Sequence, residues 1–565
     1  MAIRLAGESG DGVILAGEVL TYAISRMGLK IFTFRTYPTS VRGGPCAYQI
    51  RASDWHAYSQ GDTLDLLVAF DAESVSSHVN DLKPDGKLIF DKDRIAEDDP
   101  ALPRQSFGAS FTSIARETVR FPKARNMIIA GFAAAHIGVR EEIIQQVVTE
   151  KLGDRGDTTQ EKNISAIKLG YGLVPKPSTP VIEKGEPNKI ILSGNQAITL
   201  GAIVAGCRFY GGYPITPASD ILELMAHLLP ELGGCVLQGE DEMASLGAAI
   251  GASFAGTKAM TATSGPGFSL MTELIGMASM AEIPVVIVDA QRAGPSTGLP
   301  TKTEQSDLNH AVFGGHGDVP RIVVAPGDVQ DCFYQTVRAF NLAERYQLPV
   351  IILTDQSLAQ CTEGVPTPDV NNLKILNREK AKLGETRFLR YATRSDGVSP
   401  VSIPGQSGGE YVAESIEHDE RGRVSSTPKT HAEMTSKRQA KLATAESELA
   451  DDPLNFLEVA GNESKLAVIG WGSTEGAIHE AILTARKKAI HVKWLQCKLL
   501  NPLPKKKISS FLEAVDHVIV PELNYTAQFA NLLRMNFTVK PVSITKTEGM
   551  PFTPMEILRT IEELA

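Results

Sequence analysis

The stretch PVVIVDAQRAGPSTGLP at residues 284–300 joins a short apolar run to a turn rich in glycine and proline. The run has the length of a buried strand in a parallel sheet. Arg292 stands directly after it, at the strand end where open α/β sheets bind their ligands. The stretch therefore predicts an α/β fold with a functional edge.

Similar apolar runs, separated by helix-like segments, recur along the chain. This alternation predicts α/β domains built on mainly parallel sheets. Strands are predicted at 3–6, 64–70, 86–90 and 126–130, near 209–213, 234–238, 258–263, 284–289, 320–324 and 349–353, and at 465–470, 490–495, 517–521 and 541–545. Helices are predicted at 13–27 and from Glu475.

The predicted strands fall into three α/β domains. We expect the domains at 1–172, 189–365 and 461–565, with a proline-rich linker at 173–188 and a mixed arm at 366–460. Residues 414–450 of the arm carry dense mixed charges, which predicts a solvated helical face.

Composition narrows the class of protein. The 565 residues are 43% hydrophobic and 22% charged, which is typical of a soluble globular protein. The net charge is −10, from 56 Lys and Arg against 66 Asp and Glu, and this disfavours a nucleic-acid partner. Neither a signal peptide nor an apolar run of membrane-spanning length is apparent, so we expect a cytoplasmic protein with no membrane partner.

The cysteines disfavour a metal or cluster site on this chain. They stand at 46, 207, 235, 332, 361 and 497, and no C-x-x-C occurs. That spacing excludes a zinc ribbon and a ferredoxin-type cluster signature. We expect six reduced, buried thiols.

The first turn, GESGDG at 7–12, resembles two cofactor motifs but fits neither. A dinucleotide fingerprint needs glycine at Ser9 and an acidic residue near 30–37, where none occurs. A thiamin diphosphate motif needs an asparagine about thirty residues later, and none occurs before Asn80. The turn either receives a phosphate on its N–H groups or is purely structural.

Four segments of the second domain place polar groups at the ends of predicted strands. Such strand ends meet at one edge of a parallel sheet, so the segments together predict one ligand site. They are GGYPITPAS at 211–219, QGEDE at 238–242 followed by small residues at 244–256, TATSGPGF at 261–268 and VDAQRAGPSTGLP at 288–300.

These segments resemble the α subunit of 2-oxoacid:ferredoxin oxidoreductases, most closely the 2-oxoglutarate branch. GESGDGVILAGEVL, SVRGGPCAYQIR and DLLVAFD are similar to that family's γ subunit, here fused ahead of α, although many γ subunits carry GxGGQG in the first turn. SIEHDERGR, MTSKRQAKL, VIGWGSTEGAIHEAI and PELNYTAQFANLLR resemble later parts of α. The resemblance implies a γ-type domain, a thiamin diphosphate pyrimidine-binding-type domain and a transketolase C-terminal-like domain.

The resemblance also implies roles for individual residues. Glu242 matches the glutamate that contacts the aminopyrimidine of thiamin diphosphate, with Glu240 as the nearby alternative. Thr216 and Arg292 match the groups that hold the 2-oxoacid carboxylate, a task that suits the bidentate guanidinium. Arg42 matches a basic position of the γ domain that faces coenzyme A and the active site. The cofactor-binding set implied is Tyr213, Pro214, Ile215, Glu242, Ser264, Gly265 and Arg42.

In that family the diphosphate, its Mg²⁺ and a [4Fe-4S] cluster belong to a separate β subunit, so the resemblance implies half of an active site. It also implies ferredoxin as a partner, an (αβ)₂ assembly, and conversion of 2-oxoglutarate and CoA to succinyl-CoA and CO₂. Three alternatives stay open: another 2-oxoacid such as pyruvate or a branched-chain oxoacid, a non-redox transketolase-like enzyme, and an inert scaffold.

Overall fold

The described residues form three β-sheets, and most of the strands run parallel. The computed structural model describes residues 1–39, 43–153, 156–178, 190–382, 388–459 and 464–565. They form two compact units, the first consisting of 1–192, 360–367 and 553–555, and the second of 193–359, 368–552 and 556–565. The predicted α/β class is confirmed, while the predicted domain borders stay predictions.

The first unit contains an eight-stranded mixed sheet in the order β6-β5-β4-β1-β3-β2-β14-β7. Its strands are β1 Ala2–Glu8, β2 Lys30–Thr36, β3 Pro45–Ser53, β4 Leu64–Ala69, β5 Leu82–Asp91, β6 Ser106–Ala109, β7 Ile190–Ser193 and β14 Thr362–Val365. Strand β1 pairs in parallel with β4 and antiparallel with β3. The sequence patterns did not indicate β2 and β3, which form an antiparallel pair.

The second unit contains two sheets. The seven-stranded sheet, in the order β18-β12-β13-β11-β10-β8-β9, has β8 Phe209–Gly212, β9 Cys235–Gln238, β10 Ala259–Thr263, β11 Val285–Gln291, β12 Ile322–Val324, β13 Pro349–Asp355 and β18 Leu499–Asn501. The five-stranded sheet, in the order β15-β17-β16-β19-β20, has β15 Phe456–Val459, β16 Leu466–Trp471, β17 Lys493–Cys497, β19 His517–Glu522 and β20 Val542–Thr545. One hydrophobic core takes residues from both sheets, including Ile287, Val323 and Trp471.

Helices connect most of the strands. They are α1 Val13–Arg26, α2 Ala72–His78, α3 Phe111–Ser113, α4 Arg125–Ile137, α5 Glu141–Leu152, α6 Asp157–Gly172, α7 Gly194–Val204, α8 Ser219–Leu228, α9 Glu242–Phe254, α10 Gly265–Leu270, α11 Thr272–Met280, α12 Leu308–Phe313, α13 Val329–Tyr346, α14 Gln356–Gln360, α15 Pro428–Glu448, α16 Glu475–Lys487, α17 Lys505–Leu512, α18 Gln528–Asn536 and α19 Pro554–Leu564.

The strand predicted at 126–130 is wrong, because these residues belong to α4. The helix is buried on nearly every side, so its sequence lacks the polar face that reveals a helical period. It packs against α6 at very close range: a Cβ on Gly131 would collide with the carbonyl oxygen of Ile167. Such an approach of two backbones requires glycine.

The solvated face predicted for 414–450 is wrong for part of α15. Lys437 and Lys441 are buried, and each places its ammonium group 2.6 Å from a carboxylate oxygen of buried Glu282. Arg390 donates to the backbone carbonyl of Glu282 at 2.8 Å. The charged helix therefore packs against the end of α11 through ion pairs.

The cysteine prediction holds in part. All six thiols are free, and five are buried, but Cys235 is exposed because β9 is an edge strand.

No helix among the described residues is long and apolar enough to cross a bilayer. In the described ranges, no group of three or more His, Cys, Asp and Glu side chains is arranged to hold a metal ion. Residues 179–188 of the predicted linker lie outside the described residues.

Candidate active site

The loop at 213–218 follows β8 and carries Thr216. Its backbone is anchored by Asn195, whose side-chain amide donates to the Pro217 carbonyl at 2.8 Å, and by a bond from Ala218 N–H to the Ile215 carbonyl. Tyr213 and Pro214 are exposed, and Ile215 and Thr216 are half-buried. The loop thus presents Thr216 on a fixed backbone at the strand end, as the sequence predicts.

Glu242 is the first residue of α9 and only 5% exposed. Asp241 caps this helix by accepting a hydrogen bond from Ala244 N–H at 2.7 Å. A negative charge in the first turn is favoured by the helix dipole. Glu240, two residues earlier, is exposed.

The small residues of α9 allow the helix to sit directly on the sheet. A Cβ on Gly211 of β8 would collide with the Ser245 carbonyl oxygen of α9. Helix and strand therefore contact each other through bare backbone, which holds Glu242 at the same edge as the loop after β8.

The turn after β10 forms a small polar surface beside Glu242. Ser264 is fully buried, and its hydroxyl has no hydrogen-bond partner among the described residues. A Cβ on Gly267 would collide with both Glu242 and Thr263, so the Glu242 carboxylate lies against the bare backbone of α10. Gly265 is the first residue of α10.

Arg292 joins the segments together. Its Nη1 donates to the Thr216 carbonyl at 2.8 Å, while its Nε is buried with no hydrogen-bond partner among the described residues. Burial lowers the pKa of Arg292, and the charges of Asp307, Glu242 and Asp289 oppose that shift. The guanidinium is therefore a desolvated cation close to carboxylates, with donor capacity left for a ligand.

These groups fit the pyrimidine side of a thiamin site. A buried carboxylate and an unpartnered buried hydroxyl flank a stretch of bare glycine backbone, as a flat heterocycle with ring nitrogens requires. The structure thus brings together Thr216, Glu242, Arg292 and the turn at 264–267.

The turn at 7–12 of the first unit uses two of its N–H groups within the fold. Ser9 N–H donates to the Gly44 carbonyl, and Asp11 N–H to the Glu8 carbonyl. Asp11 also pairs with Arg125 at 2.7 Å. These contacts favour the structural interpretation of the turn. Arg42 lies outside the described residues.

Two acidic residues that lie beside these groups were missed by sequence reasoning. Asp289 ends the apolar run of β11, and a lone aspartate in a fully buried strand was a usable signal. Asp307 precedes α12, and its carboxyl Oδ2 would lie 2.9 Å from a Cβ on Gly265. No motif marks Asp307 in the sequence.

Family models match three parts of the chain. The model of the thiamine-diphosphate-binding part of pyruvate flavodoxin/ferredoxin oxidoreductases matches residues 200–437. The pyruvate ferredoxin/flavodoxin oxidoreductase model matches 2–173, and that of core domain II of pyruvate:ferredoxin oxidoreductase matches 464–546.

Relatives match the chain over its whole length. Subunit alpha of 2-oxoacid:ferredoxin oxidoreductase 2 from Aeropyrum pernix is 30% identical, covering 100% of this chain and 97% of that protein. The 2-oxoglutarate oxidoreductase subunit KorA of Mycobacterium tuberculosis is 33% identical, covering 99% and 91%.

A solved structure shares the fold. The 2-oxoglutarate:ferredoxin oxidoreductase of Magnetococcus marinus, with 2-oxoglutarate, coenzyme A and succinyl-CoA bound, is 38% identical. It superposes with a TM-score of 0.92 and covers 100% of this chain and 99% of that one. These matches confirm the resemblance given by the motifs: the chain belongs to the 2-oxoacid:ferredoxin oxidoreductase family, as an α-type subunit.

Proposed function

We propose that the chain is the γα-fused α subunit of a 2-oxoglutarate:ferredoxin oxidoreductase. Such an enzyme converts 2-oxoglutarate and CoA reversibly to succinyl-CoA and CO₂ while electrons pass to ferredoxin. The observation that carries the proposal is the placement of the buried Arg292 guanidinium beside Thr216 and Glu242 at one sheet edge. The preference for 2-oxoglutarate is supported by the bound ligands of the Magnetococcus marinus relative and by the name of the mycobacterial one.

Arg292 binds the carboxylate next to the 2-oxo group. Its bond to the Thr216 carbonyl uses Nη1, so the remaining N–H groups are available to that carboxylate. The hydroxyl of Thr216 adds a further donor. Because the guanidinium is largely desolvated, its attraction for the substrate anion is stronger than at an exposed site.

Glu242 holds a proton at the ring nitrogen of the aminopyrimidine. Thiamin diphosphate, when bound, supplies a carbon nucleophile that adds to the 2-oxo group and accepts the electrons released as CO₂ leaves. Tyr213, Pro214 and Ile215 line the cofactor from the loop after β8, and Ser264 and Gly265 from the turn before α10. The buried position of Glu242 excludes water from the shared proton.

A β subunit completes the site. We propose that it carries the diphosphate half of the thiamin site, Mg²⁺ and a [4Fe-4S] cluster, that it passes electrons to ferredoxin, and that the assembly is (αβ)₂. This division is supported by the chain's own residues, which include neither the magnesium motif nor cluster cysteines.

Reconstitution tests the proposal. The chain is co-expressed with its β subunit, and ferredoxin reduction is measured with CoA and 2-oxoglutarate, pyruvate or a branched-chain oxoacid. We expect the highest kcat/KM with 2-oxoglutarate and no reduction by the isolated chain. A higher kcat/KM with pyruvate would assign another 2-oxoacid, and reduction by the isolated chain would contradict the half-site. Carbon-unit transfer without ferredoxin would favour the transketolase-like alternative.

Arg42 is proposed to contact coenzyme A rather than the 2-oxoacid. Single-turnover experiments with and without CoA compare Arg42→Ala and Arg292→Ala in the reconstituted complex. Arg42→Ala should raise the KM for CoA and spare CoA-independent decarboxylation, whereas Arg292→Ala should impair decarboxylation itself. Equal impairment of the CoA-free step by both variants would contradict this division of roles.

A further inference from the structure

Asp289 and Asp307 form a buried carboxyl pair beside the turn at 264–267. Asp289 lies on β11, in register with Thr263 of β10 and Leu353 of β13. Asp307 is held from its backbone, because its N–H donates to Gln291 Oε1 at 3.0 Å while Gln291 Nε2 donates to the Thr354 carbonyl at 3.0 Å. Asp289, on β11, and Asp307, bonded to Gln291 of β11, are therefore both held by the seven-stranded sheet.

The two carboxyl groups depend on each other for hydrogen bonding. Asp289 is fully buried. Among the described residues, no backbone N–H, amide, guanidinium or hydroxyl group donates a hydrogen bond to either of its oxygens. Asp289 and Gln291 stand two residues apart on β11, so their side chains share one face of the sheet, and on that face Gln291 accepts the Asp307 N–H. The two carboxyl groups therefore lie beside each other, in line with the effect of the Asp307 charge on Asp289. Two neighbouring buried carboxyl groups can hydrogen-bond to each other only when one of them keeps its proton.

The surrounding charges assign that proton to Asp289. Burial and the neighbouring Asp307 raise the pKa of Asp289 well above its usual range. Burial and the charge of Glu304 also raise the pKa of Asp307, but its bond to Asp289 and the charge of Arg292 oppose the shift. The charge of Glu242 acts on Arg292 in the same direction as the charges of Asp307 and Asp289, raising the pKa of the guanidinium. Asp307 is thus the member that carries the negative charge.

The position of Asp307 matters for Arg292. The guanidinium donates to the Thr216 carbonyl and acts on Asp307 through its charge. If the Asp307 carboxylate were released from Asp289, it would be an anion free to pair with the buried guanidinium. That pairing would compete with the carboxylate of a substrate.

We propose that Asp289 is a positioning residue: its proton holds the Asp307 carboxylate against Gly265 and away from Arg292, so that Arg292 stays available to the 2-oxoacid. The inference rests on the proposed function for the role of Arg292. The pair itself is a property of the chain that does not depend on the substrate.

Variants of the reconstituted complex test the positioning role. Asp289→Asn keeps a donor to Asp307 and the same charge, so KM for 2-oxoglutarate should stay within about threefold of the wild-type value. Asp289→Leu removes the donor and should raise this KM by roughly 10- to 100-fold, with kcat changed by no more than about threefold. Adding Asp307→Asn to Asp289→Leu removes the competing charge and should restore most of the KM.

A merely structural role would give a different pattern. It would lower kcat and stability together in Asp289→Leu, and the added Asp307→Asn would not restore KM. Either an unrestored KM or a large loss of binding in Asp289→Asn would overturn the proposal.

Infrared difference spectroscopy on the full chain tests whether Asp289 carries the proton shared with Asp307, and it needs no turnover. At pH 7, Asp289→Asn should abolish one carbonyl band of a protonated carboxyl group. An unchanged band would overturn the proposal even if the enzyme uses 2-oxoglutarate. If the band disappears but the complex oxidises no 2-oxoacid, the proposed function fails, and with it the positioning role assigned to the pair.

Discussion

Two buried charged clusters in the second unit are built in opposite ways. In the arm cluster, the Glu282 carboxylate receives the ammonium groups of Lys437 and Lys441, each at 2.6 Å. Beside the candidate active site, neither oxygen of buried Asp289 has a hydrogen-bond partner among the described residues, and the neighbouring group is the carboxyl of Asp307. One acidic group is surrounded by cations, and the other lies next to a second acid.

This difference helps to distinguish buried polar groups that stabilise the fold from buried polar groups that bind a ligand. Buried charges that only hold a fold are paired within it, because an unpaired buried charge is strongly destabilising. Single unpartnered nitrogens also occur elsewhere, as at Arg390 Nε of the arm cluster, but the Ser264 hydroxyl and Arg292 Nε lack a partner among the described residues and lie together at one sheet edge. Groups left in that condition at one sheet edge are suited to bind a ligand.

The largest effect is expected in the arm cluster. Glu282→Gln leaves Lys437 and Lys441 buried without a counter-ion, so it should lower the free energy of unfolding by about 3–5 kcal/mol. Chemical denaturation of the full chain, followed by near-ultraviolet circular dichroism, measures this loss.

A matched control comes from α11, the helix that ends just before Glu282. Glu273 of α11 is exposed, and Glu273→Gln should change the free energy of unfolding by about 0.5 kcal/mol or less. Equal effects of the two substitutions would mean that the arm cluster does not hold α15 in place.

Arg292→Ala should show the reverse pattern at the active site. Loss of a desolvated charge-assisted contact to the 2-oxoacid, worth about 2–4 kcal/mol, should lower kcat/KM by roughly 30- to 1000-fold. The free energy of unfolding should change by only about 1 kcal/mol, because the side chain makes one hydrogen bond to the fold. Arg292→Lys should recover little, since a point charge lacks the planar fork.

Steady-state kinetics and denaturation of the same preparations check this contrast. A variant that unfolds as readily as Glu282→Gln, or that keeps its kcat/KM, would remove the distinction between the clusters.

Lowering the pH should produce a smaller effect on the stability that the arm cluster provides. Burial raises the pKa of Glu282, but the charges of Lys441, Lys437 and Arg390 outweigh it and hold the pKa below its usual 4.5. A lowered pKa means that the stabilisation is complete above 4.5 and is lost as the pH falls towards the folded-state value.

The stability difference between wild type and Glu282→Gln should therefore shrink below pH 4.5, by up to about 1.4 kcal/mol per pH unit. Denaturation curves between pH 3 and 7 measure it. A difference that stays constant across this range would show that the carboxylate is not held by the lysines.

The sequence predicts the parallel strands better than other elements. Runs such as 284–289 and 349–353 are buried on both faces and end at glycine or polar turns, so composition alone marks them. The same logic fails for α4, whose apolar run has the composition of a buried strand. It also fails for β2 and β3, whose pairing depends on contacts between different parts of the chain.

At the candidate site, too, residues in local motifs were predicted, whereas residues placed by distant parts of the chain were not. Glu242, Thr216 and Arg292 were predicted because they lie in dense motifs at strand ends. Asp307 was not, because its place beside Gly265 depends on how the segment before α12 returns to the sheet. The pairing of Glu282 with Lys437 joins residues 155 positions apart, and no local pattern announces it.

The most direct test of the account compares Glu242→Gln with Glu240→Gln in the reconstituted complex. The measurement is exchange of the proton on the reactive carbon of bound thiamin diphosphate, followed by NMR, together with cofactor affinity. Glu242→Gln should keep most cofactor binding but slow exchange and turnover by roughly 10²- to 10⁴-fold, because an amide cannot share the proton. Exposed Glu240→Gln should match wild type. Normal exchange in Glu242→Gln, with the loss in Glu240→Gln instead, would contradict the assignment of the site.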